Sequence, residues 1–340
     1  MKQRSIAVVG GGAWGTALAI HAAGCGHGVR LWLFEEELVE HMRVHRTNPV
    51  YLPGVPVPES VTPEADLAEC LSGAELILAV APSAFARSIY RRMANLLPEG
   101  VPVLVATKGI EERSLALPLA VAGDELGAKT LSAVLSGPSF APELAAGKPT
   151  AVAVSGQDEA LLADLQAALS SPTLRLYANT DPVGVQVAGA LKNVMAIAAG
   201  VADSLELGSN TQAALITRGL AEITRLGCRL GAKVETFSGL AGIGDLVLTC
   251  TGPLSRNRRV GQRLGRGERL TDILAATRSV AEGVSTTRSS RDLARREGVE
   301  MPIVEELHRI LFEEGDPREA LGRLMSRPLA FEAGPADRTR

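Results

Sequence analysis

Through the first half of the chain, short apolar runs alternate with longer segments of helical period. Residues 6–9, 29–34, 75–81, 101–106, 131–135, 151–154 and 174–177 are bounded by glycine, proline or polar clusters and read as strands. Segments of helical period lie between them, among them 84–97 and 158–169. A proline-rich stretch, 47–63, interrupts this alternation and reads as an extended excursion. Strand and helix in turn over this length predict an α/β fold with a doubly wound sheet of Rossmann type. From Asp181 the strand patterns stop and helical periodicity dominates to about Arg323. The expected organisation is a sheet domain over 1–180, an all-helical domain over 181–326 and a loosely ordered tail over 327–340.

One segment breaks the usual rule that a helix has a polar face. Residues 182–206, PVGVQVAGALKNVMAIAAGVADSLE, are apolar nearly all round, with Lys192 and Asn193 near the middle. A helix hydrophobic on every face is buried, and a buried ammonium is costly unless paired. Lys192 therefore either snorkels along its stem to the surface or is a desolvated acid/base with a lowered pKa. The small residues Ala188, Gly189, Ala196, Ala199 and Gly200 favour the second reading, because they let backbone or ligand approach and leave the lysine little cover. The segment is long enough to span a membrane, but Gln186, Lys192, Asn193 and Asp203 would then lie in or beside lipid with no second span, so no membrane span is expected.

The first strand runs into Gly10-Gly11-Gly12-Ala13-Trp14-Gly15 and then a helix. Strand, G-x-G-x-x-G and helix in that order form a dinucleotide-binding turn: Gly10 for the tight turn, Gly12 for approach of a pyrophosphate, Gly15 for helix packing. Trp14 would be costly if simply exposed at the tip of this loop, and its plain structural explanation is packing against a neighbouring domain. Glu35 follows at the end of the second strand, about 20 residues on, where an acidic side chain bonds the adenosine ribose of NAD. With Glu35, Glu36 and Glu37 there and Arg30 too early to help, NAD is favoured over NADP, although the three carboxylates also suit the solvated start of a helix. The polar clusters Pro82-Ser83, Thr107-Lys108 and 136–139 all fall at C-terminal strand ends, the ligand edge of such sheets. Lys108 reads there as a ligand for an anion or substrate.

Composition narrows the function class. The chain has 340 residues, 46% of them hydrophobic, and a net charge of −3, which gives no pull towards nucleic acid. Cys25, Cys70, Cys228 and Cys250 are far apart, and the five histidines, including His41 and His45 on one helical face, form no ligand set. Neither disulfides nor a metal are expected; a reducing cytosol fits, and the N-terminal residues do not read as a signal peptide. In the helical half, a glycine-rich run 239–244 leads to Asp245, either a turn or cap residue or the partner that an interior Lys192 needs. Ser255, Arg256 and Asn257 follow: the first and last suit a helix cap, and Arg256 can grip an oxyanion bidentately. No aromatics interleave with the arginines that continue this run, which argues against a nucleic-acid patch. The residues alone suggest hydride transfer to or from a small phosphorylated alcohol or ketone.

The segments GGGAWGTALA, NPVYLPG, ATKGIE, LSGPSFAPELA, LKNVMAIAAGVADSLELGSNTQAALITRGL, GLAGIGDLVLTCTGPLSRNRRVG and VAEGV together resemble bacterial NAD(P)-dependent glycerol-3-phosphate dehydrogenase, in order from about residue 5 to 325. The resemblance implies that Lys192 exchanges the proton at the substrate C2 oxygen, held by Asp245. It implies that Lys108, Gly137, Ser139, Asp245, Ser255, Arg256 and Asn257 line the substrate. Gly10, Gly12, Trp14, Gly15, Lys108, Ala141, Arg256, Val280 and Glu282 are implied to contact NAD or NADP. It also implies glycerol 3-phosphate supply for phospholipid synthesis by a cytoplasmic enzyme, often a homodimer. The chain departs from the family at Ala13, often serine, and at Phe34 or Glu35, usually basic. Two rivals remain at this stage. A β-hydroxyacid dehydrogenase would place an asparagine one turn after the lysine, where this chain has Ala196. A non-catalytic NAD-sensing module would need neither Lys192 nor Lys108.

Overall fold

The computed structural model of the chain describes residues 2–127, 130–276 and 282–329. Its main sheet has the strand order β10-β9-β8-β7-β6-β1-β2-β5. The strands are β1 Ser5–Val9, β2 Gly28–Trp32, β5 Val61–Glu64, β6 Leu76–Ala79, β7 Val103–Val105, β8 Ser132–Ser136, β9 Thr150–Ser155 and β10 Leu174–Asn179. β3 Thr47–Asn48 and β4 Leu52–Pro56 form a separate antiparallel hairpin. The covering helices are α1 Ala13–Gly24, α2 Glu36–His45, α3 Leu67–Leu71, α4 Ser83–Ala94, α5 Pro118–Leu126, α6 Ala141–Ala145 and α7 Glu159–Leu169. Helices on both faces explain why the inner strands read as unbroken apolar runs: every residue of β6 is buried.

Two features of the sheet differ from the sequence reading. The excursion 47–63 is not unpaired: it contains the hairpin, and its end is β5, parallel to β2 at the sheet edge. Pro63 sits in that edge strand, the place a sheet tolerates a residue without an N–H. The last two strands also run against the rest, because β9 pairs antiparallel with β8. Only the five-residue α6 lies on the connection between them, and a parallel crossover needs a longer return path.

The strands end at Asn179 and the helical half begins at Pro182. It contains α8 Pro182–Ser204, α9 Gly208–Arg229, α10 Asp245–Thr251, α11 Arg256–Gly265, α12 Leu270–Ala275, α13 Glu282–Glu297, α14 Pro302–Phe312 and α15 Pro317–Met325. The tail expected at 327–340 lies mostly outside the described residues. α8 is the hub, contacting α9, α10, α11, α13 and α14. It is apolar and long enough to cross a membrane, yet 89% of its most apolar window is buried inside the fold. Its small residues are explained by backbone contact with α11: a Cβ on Gly200 would meet the Arg258 carbonyl, and one on Gly261 the Ile197 carbonyl. Asp181 caps α8. Its Oδ1 accepts from the Gly184 N–H (2.9 Å), and its Oδ2 from the Lys233 N–H (2.8 Å) and the Thr236 hydroxyl (2.7 Å).

A second buried carboxylate serves the other end of the domain. Glu222 on α9 accepts from the N–H groups of Ile303 (2.8 Å) and Val304 (3.4 Å), at the start of α14. Burial, against these bonds, pushes its carboxyl up from 4.5 to about 7. A carboxyl raised in the folded state binds more protons there than when unfolded, so its contribution is present below pH 4.5 and is lost as pH rises to about 7. Glu222→Gln cannot ionise. Its melting temperature relative to wild type is expected to climb by a few degrees across that window; a flat difference in thermal melts would contradict this.

Candidate active site

The glycine turn after β1 has the shape its sequence requires. Gly10 has φ +120°, and a Cβ there would lie 2.9 Å from the Val80 carbonyl carbon. At Gly15 a Cβ would collide with the Gly10 carbonyl oxygen, whereas at Gly12 nothing lies within 4 Å. Gly12 is the N-cap of α1 and offers no side-chain cap, so the first amides of that helix and its positive end suit an incoming pyrophosphate. Trp14 is half-buried against the core of the sheet domain, and its indole Nε1 is buried without a hydrogen-bond partner among the described residues. This open cradle with its orphaned donor fits a dinucleotide. Asn48, which sequence reading passed over, fixes the turn: its Nδ2 donates to the Gly11 carbonyl and to Thr16 Oγ1, both at 2.9 Å. The signal was present in NPVYLPG, but an asparagine in a proline-rich stretch reads first as a turn former.

Three charges meet where the sheet edge faces α8. Lys108 lies just past β7, Lys192 is half-way along α8, and Asp245 opens α10. Lys192 Nζ bonds Asp245 Oδ1, and Lys108 Nζ donates to Asp245 Oδ2 at 3.1 Å. Asp245 is wholly buried and Lys192 is only 7% exposed, so the lysine does not snorkel. Burial lowers its pKa from 10.5 to about 7; Asp245 opposes that shift and Lys108 adds to it. The glycines before Asp245 are needed for the approach. A π-helical turn, Leu240–Gly244, has a non-helical break at Gly242, where a Cβ would strike the Phe237 backbone. The Thr249 hydroxyl donates to the Asp245 carbonyl at 2.6 Å and lies 3.3 Å from its Oδ1. Two ammonium groups on one carboxylate leave a net positive charge when both are protonated, suited to a negatively charged ligand.

The remaining expected residues divide by what occupies them. Ser255 caps α11, accepting from the Arg258 N–H at 3.2 Å. Asn257 Oδ1 accepts from the Gly283 N–H at 3.1 Å and so ties α11 to the start of α13. Arg256, between them, is exposed on the first turn of α11. Glu282 opens α13 and accepts from the Ser83 N–H at the start of α4; burial raises its carboxyl pKa, against the pull of Arg256, Lys108 and Lys192. Gly137 has φ +146°, and the Ser139 hydroxyl donates to its carbonyl at 2.9 Å. Ala141 is the buried first residue of α6. Glu35 stands just before α2, and its Oε1 accepts from the Tyr51 hydroxyl at 2.6 Å. Val280 lies outside the described residues. Among the described residues no group of His, Cys, Asp and Glu has the spacing to hold a metal ion.

Comparison with known proteins gives the family. Residues 5–162 match the N-terminal domain of NAD-dependent glycerol-3-phosphate dehydrogenase, and residues 181–322 match its C-terminal domain. The chain is 49% identical to the glycerol-3-phosphate dehydrogenase [NAD(P)+] of Geobacter sulfurreducens, covering 98% of this chain and 99% of that one. It is 48% identical to the protein of that name from Koribacter versatilis, over 96% and 98%. The crystal structure of the glycerol-3-phosphate dehydrogenase from Coxiella burnetii superposes with a TM-score of 0.92 at 42% identity, over 96% of this chain and 99% of that one. The chain belongs to the NAD-dependent glycerol-3-phosphate dehydrogenase family, with both of that family's domains.

Proposed function

We propose that this chain catalyses the reversible reduction of dihydroxyacetone phosphate to sn-glycerol 3-phosphate with NADH or NADPH. The observation that carries the reading is the buried Lys192–Asp245–Lys108 cluster at the ligand edge of the sheet. Bound NAD(P)H supplies a hydride to C2 of the ketone. As it arrives, negative charge grows on the C2 oxygen, and Lys192 gives that oxygen a proton. In the opposite direction neutral Lys192 takes the alcohol proton. Asp245 fixes the ammonium and stabilises it, and Lys108 adds positive charge next to the developing oxyanion. Arg256 holds the substrate phosphate at the start of α11, with Ser255 and Asn257 setting that helix end. Ser139 and Gly137 border the same edge. Gly10, Gly12, Trp14, Gly15, Glu35, Ala141 and Glu282 would hold the cofactor, and the family resemblance adds Val280, which lies outside the described residues. The reading extends to a cytoplasmic homodimer that supplies glycerol 3-phosphate to phospholipid synthesis.

The test is the oxidation of NADH, then of NADPH, with dihydroxyacetone phosphate, against a β-keto acid of similar size. Turnover of the keto acid alone would favour a β-hydroxyacid dehydrogenase, and turnover of neither a sensing module. Arg256→Ala removes a charged grip on a dianion. It is expected to raise the KM for dihydroxyacetone phosphate by about 10- to 100-fold, with a smaller change in kcat. Steady-state kinetics with an unchanged KM would place the phosphate elsewhere.

A further inference from the structure

The hairpin segment beyond α2 links two sites that a dinucleotide touches at once. Asn48 Nδ2 holds the Gly11 carbonyl of the phosphate turn, and Asn48 Oδ1 accepts from the Tyr51 N–H at 3.0 Å. The Tyr51 hydroxyl then donates to Glu35 Oε1 at 2.6 Å. One short segment thereby sets the carboxylate at the end of β2 relative to the pyrophosphate cradle. In this fold that carboxylate position faces the adenosine ribose. A phenol–carboxylate bond is charge-assisted and directional. It uses one lone pair of Oε1, leaving the rest of the carboxylate to accept hydrogen bonds. A ribose 2′-hydroxyl can donate to such a group, whereas a 2′-phosphate brings only acceptors and like charge.

Three arginines in or next to β2 and α2 already have partners of their own. Arg30 donates to the carbonyls of Glu69 and Ser72. Arg43 pairs with Glu40 and Glu64. Arg46 is spent on the carbonyls of Val57, Pro58 and Val61. Arg92 lies over the Trp32 ring. At the strand end itself stands Phe34, 76% exposed, and Glu36 and Glu37 fill the first turn of α2.

We propose that Tyr51 is a specificity-determining residue, which by fixing the Glu35 carboxylate makes this chain select NAD(H) against NADP(H). The proposal rests on the dinucleotide-dependent reading above and goes beyond it, since that reading admits both cofactors. Equilibrium titration of NADH and of NADPH, followed by cofactor fluorescence without substrate, tests it on the wild type, Tyr51→Phe and Glu35→Gln. The wild type is expected to bind NADH about tenfold or more tighter than NADPH, from like-charge repulsion. Tyr51→Phe keeps the ring but loses the donor; it should weaken NADH about three- to tenfold, with a smaller effect on NADPH, so that the ratio falls. Glu35→Gln should tighten NADPH. Wild-type preference for NADPH, equal affinities, or a Tyr51→Phe variant of normal melting temperature with an unchanged ratio each overturn the proposal while leaving the dehydrogenase reading intact. Binding of neither nucleotide overturns both.

Discussion

Lys192→Ala is expected to lower kcat for dihydroxyacetone phosphate reduction by about 10²- to 10⁴-fold, the range general acid catalysis supplies, while reduced cofactor still binds. The lysine is buried and bonds Asp245, not the glycine cradle, so its loss removes the proposed proton donor and spares the dinucleotide turn. The wild-type pH profile carries the same signature. With its pKa lowered to about 7, Lys192 is protonated below that value and neutral above it. Turnover in the reducing direction should therefore fall as pH rises through about 7, and turnover in the oxidising direction should rise over the same range. In Lys192→Ala both inflections should disappear. A variant that kept near wild-type turnover, or kept the inflection, would move the proton to another group.

How much of this was legible beforehand depends on how local each signal is. The helix around Lys192 declared itself, because an apolar segment with one central cation has few homes in a soluble fold. The glycine turn was legible because each glycine answers a local steric demand, as the contacts at Gly10 and Gly15 show. Asp245 could be named as a possible partner for Lys192, since a buried ammonium requires one. That Lys108 shares the same carboxylate could not be foreseen, as it depends on the loop after β7 reaching the start of α10, 137 residues further along the chain. Asn257 was likewise legible as polar and capping but not as the tie to Gly283. The hairpin, β5 and the reversal at β9 were missed for one reason: pairing and direction are set by the path of the connections, and period alone does not record that path.

These long-range ties also explain why the site needs both halves of the chain. Lys108 comes from a strand end, Lys192 from the hub of the helical half, and Asp245 from the break after the π turn. Asp181 joins the last two, since its carboxylate holds both the first turn of α8 and the 233–236 segment that precedes the glycines. Lys192, the proposed acid/base, is therefore positioned by packing that extends well beyond the three charges themselves.

Asp245→Asn tests that arrangement more severely than loss of either lysine. The carboxylate is wholly buried between two ammonium groups, and removing one member of a buried pair costs up to about 3–5 kcal/mol where the other stays charged. Burial is already the largest influence on Lys192, and Asp245 is the group that opposes it. In the variant the lysine pKa should fall further below about 7, leaving it neutral at pH 7 and unable to protonate the ketone oxygen. Reduction should drop by about as much as in Lys192→Ala, roughly 10²- to 10⁴-fold. The stability loss should depend on pH with a definite sign. A lysine whose pKa is depressed by folding binds fewer protons folded than unfolded, so its contribution is lost as pH falls towards the folded pKa. In the wild type that loss ends near pH 7, where Lys192 charges against Asp245. In Asp245→Asn it continues below, so the gap in melting temperature should widen as pH is lowered from about 7. A gap that narrows on acidification, or a variant that still reduces the ketone at neutral pH, would show that Asp245 is not what keeps Lys192 charged.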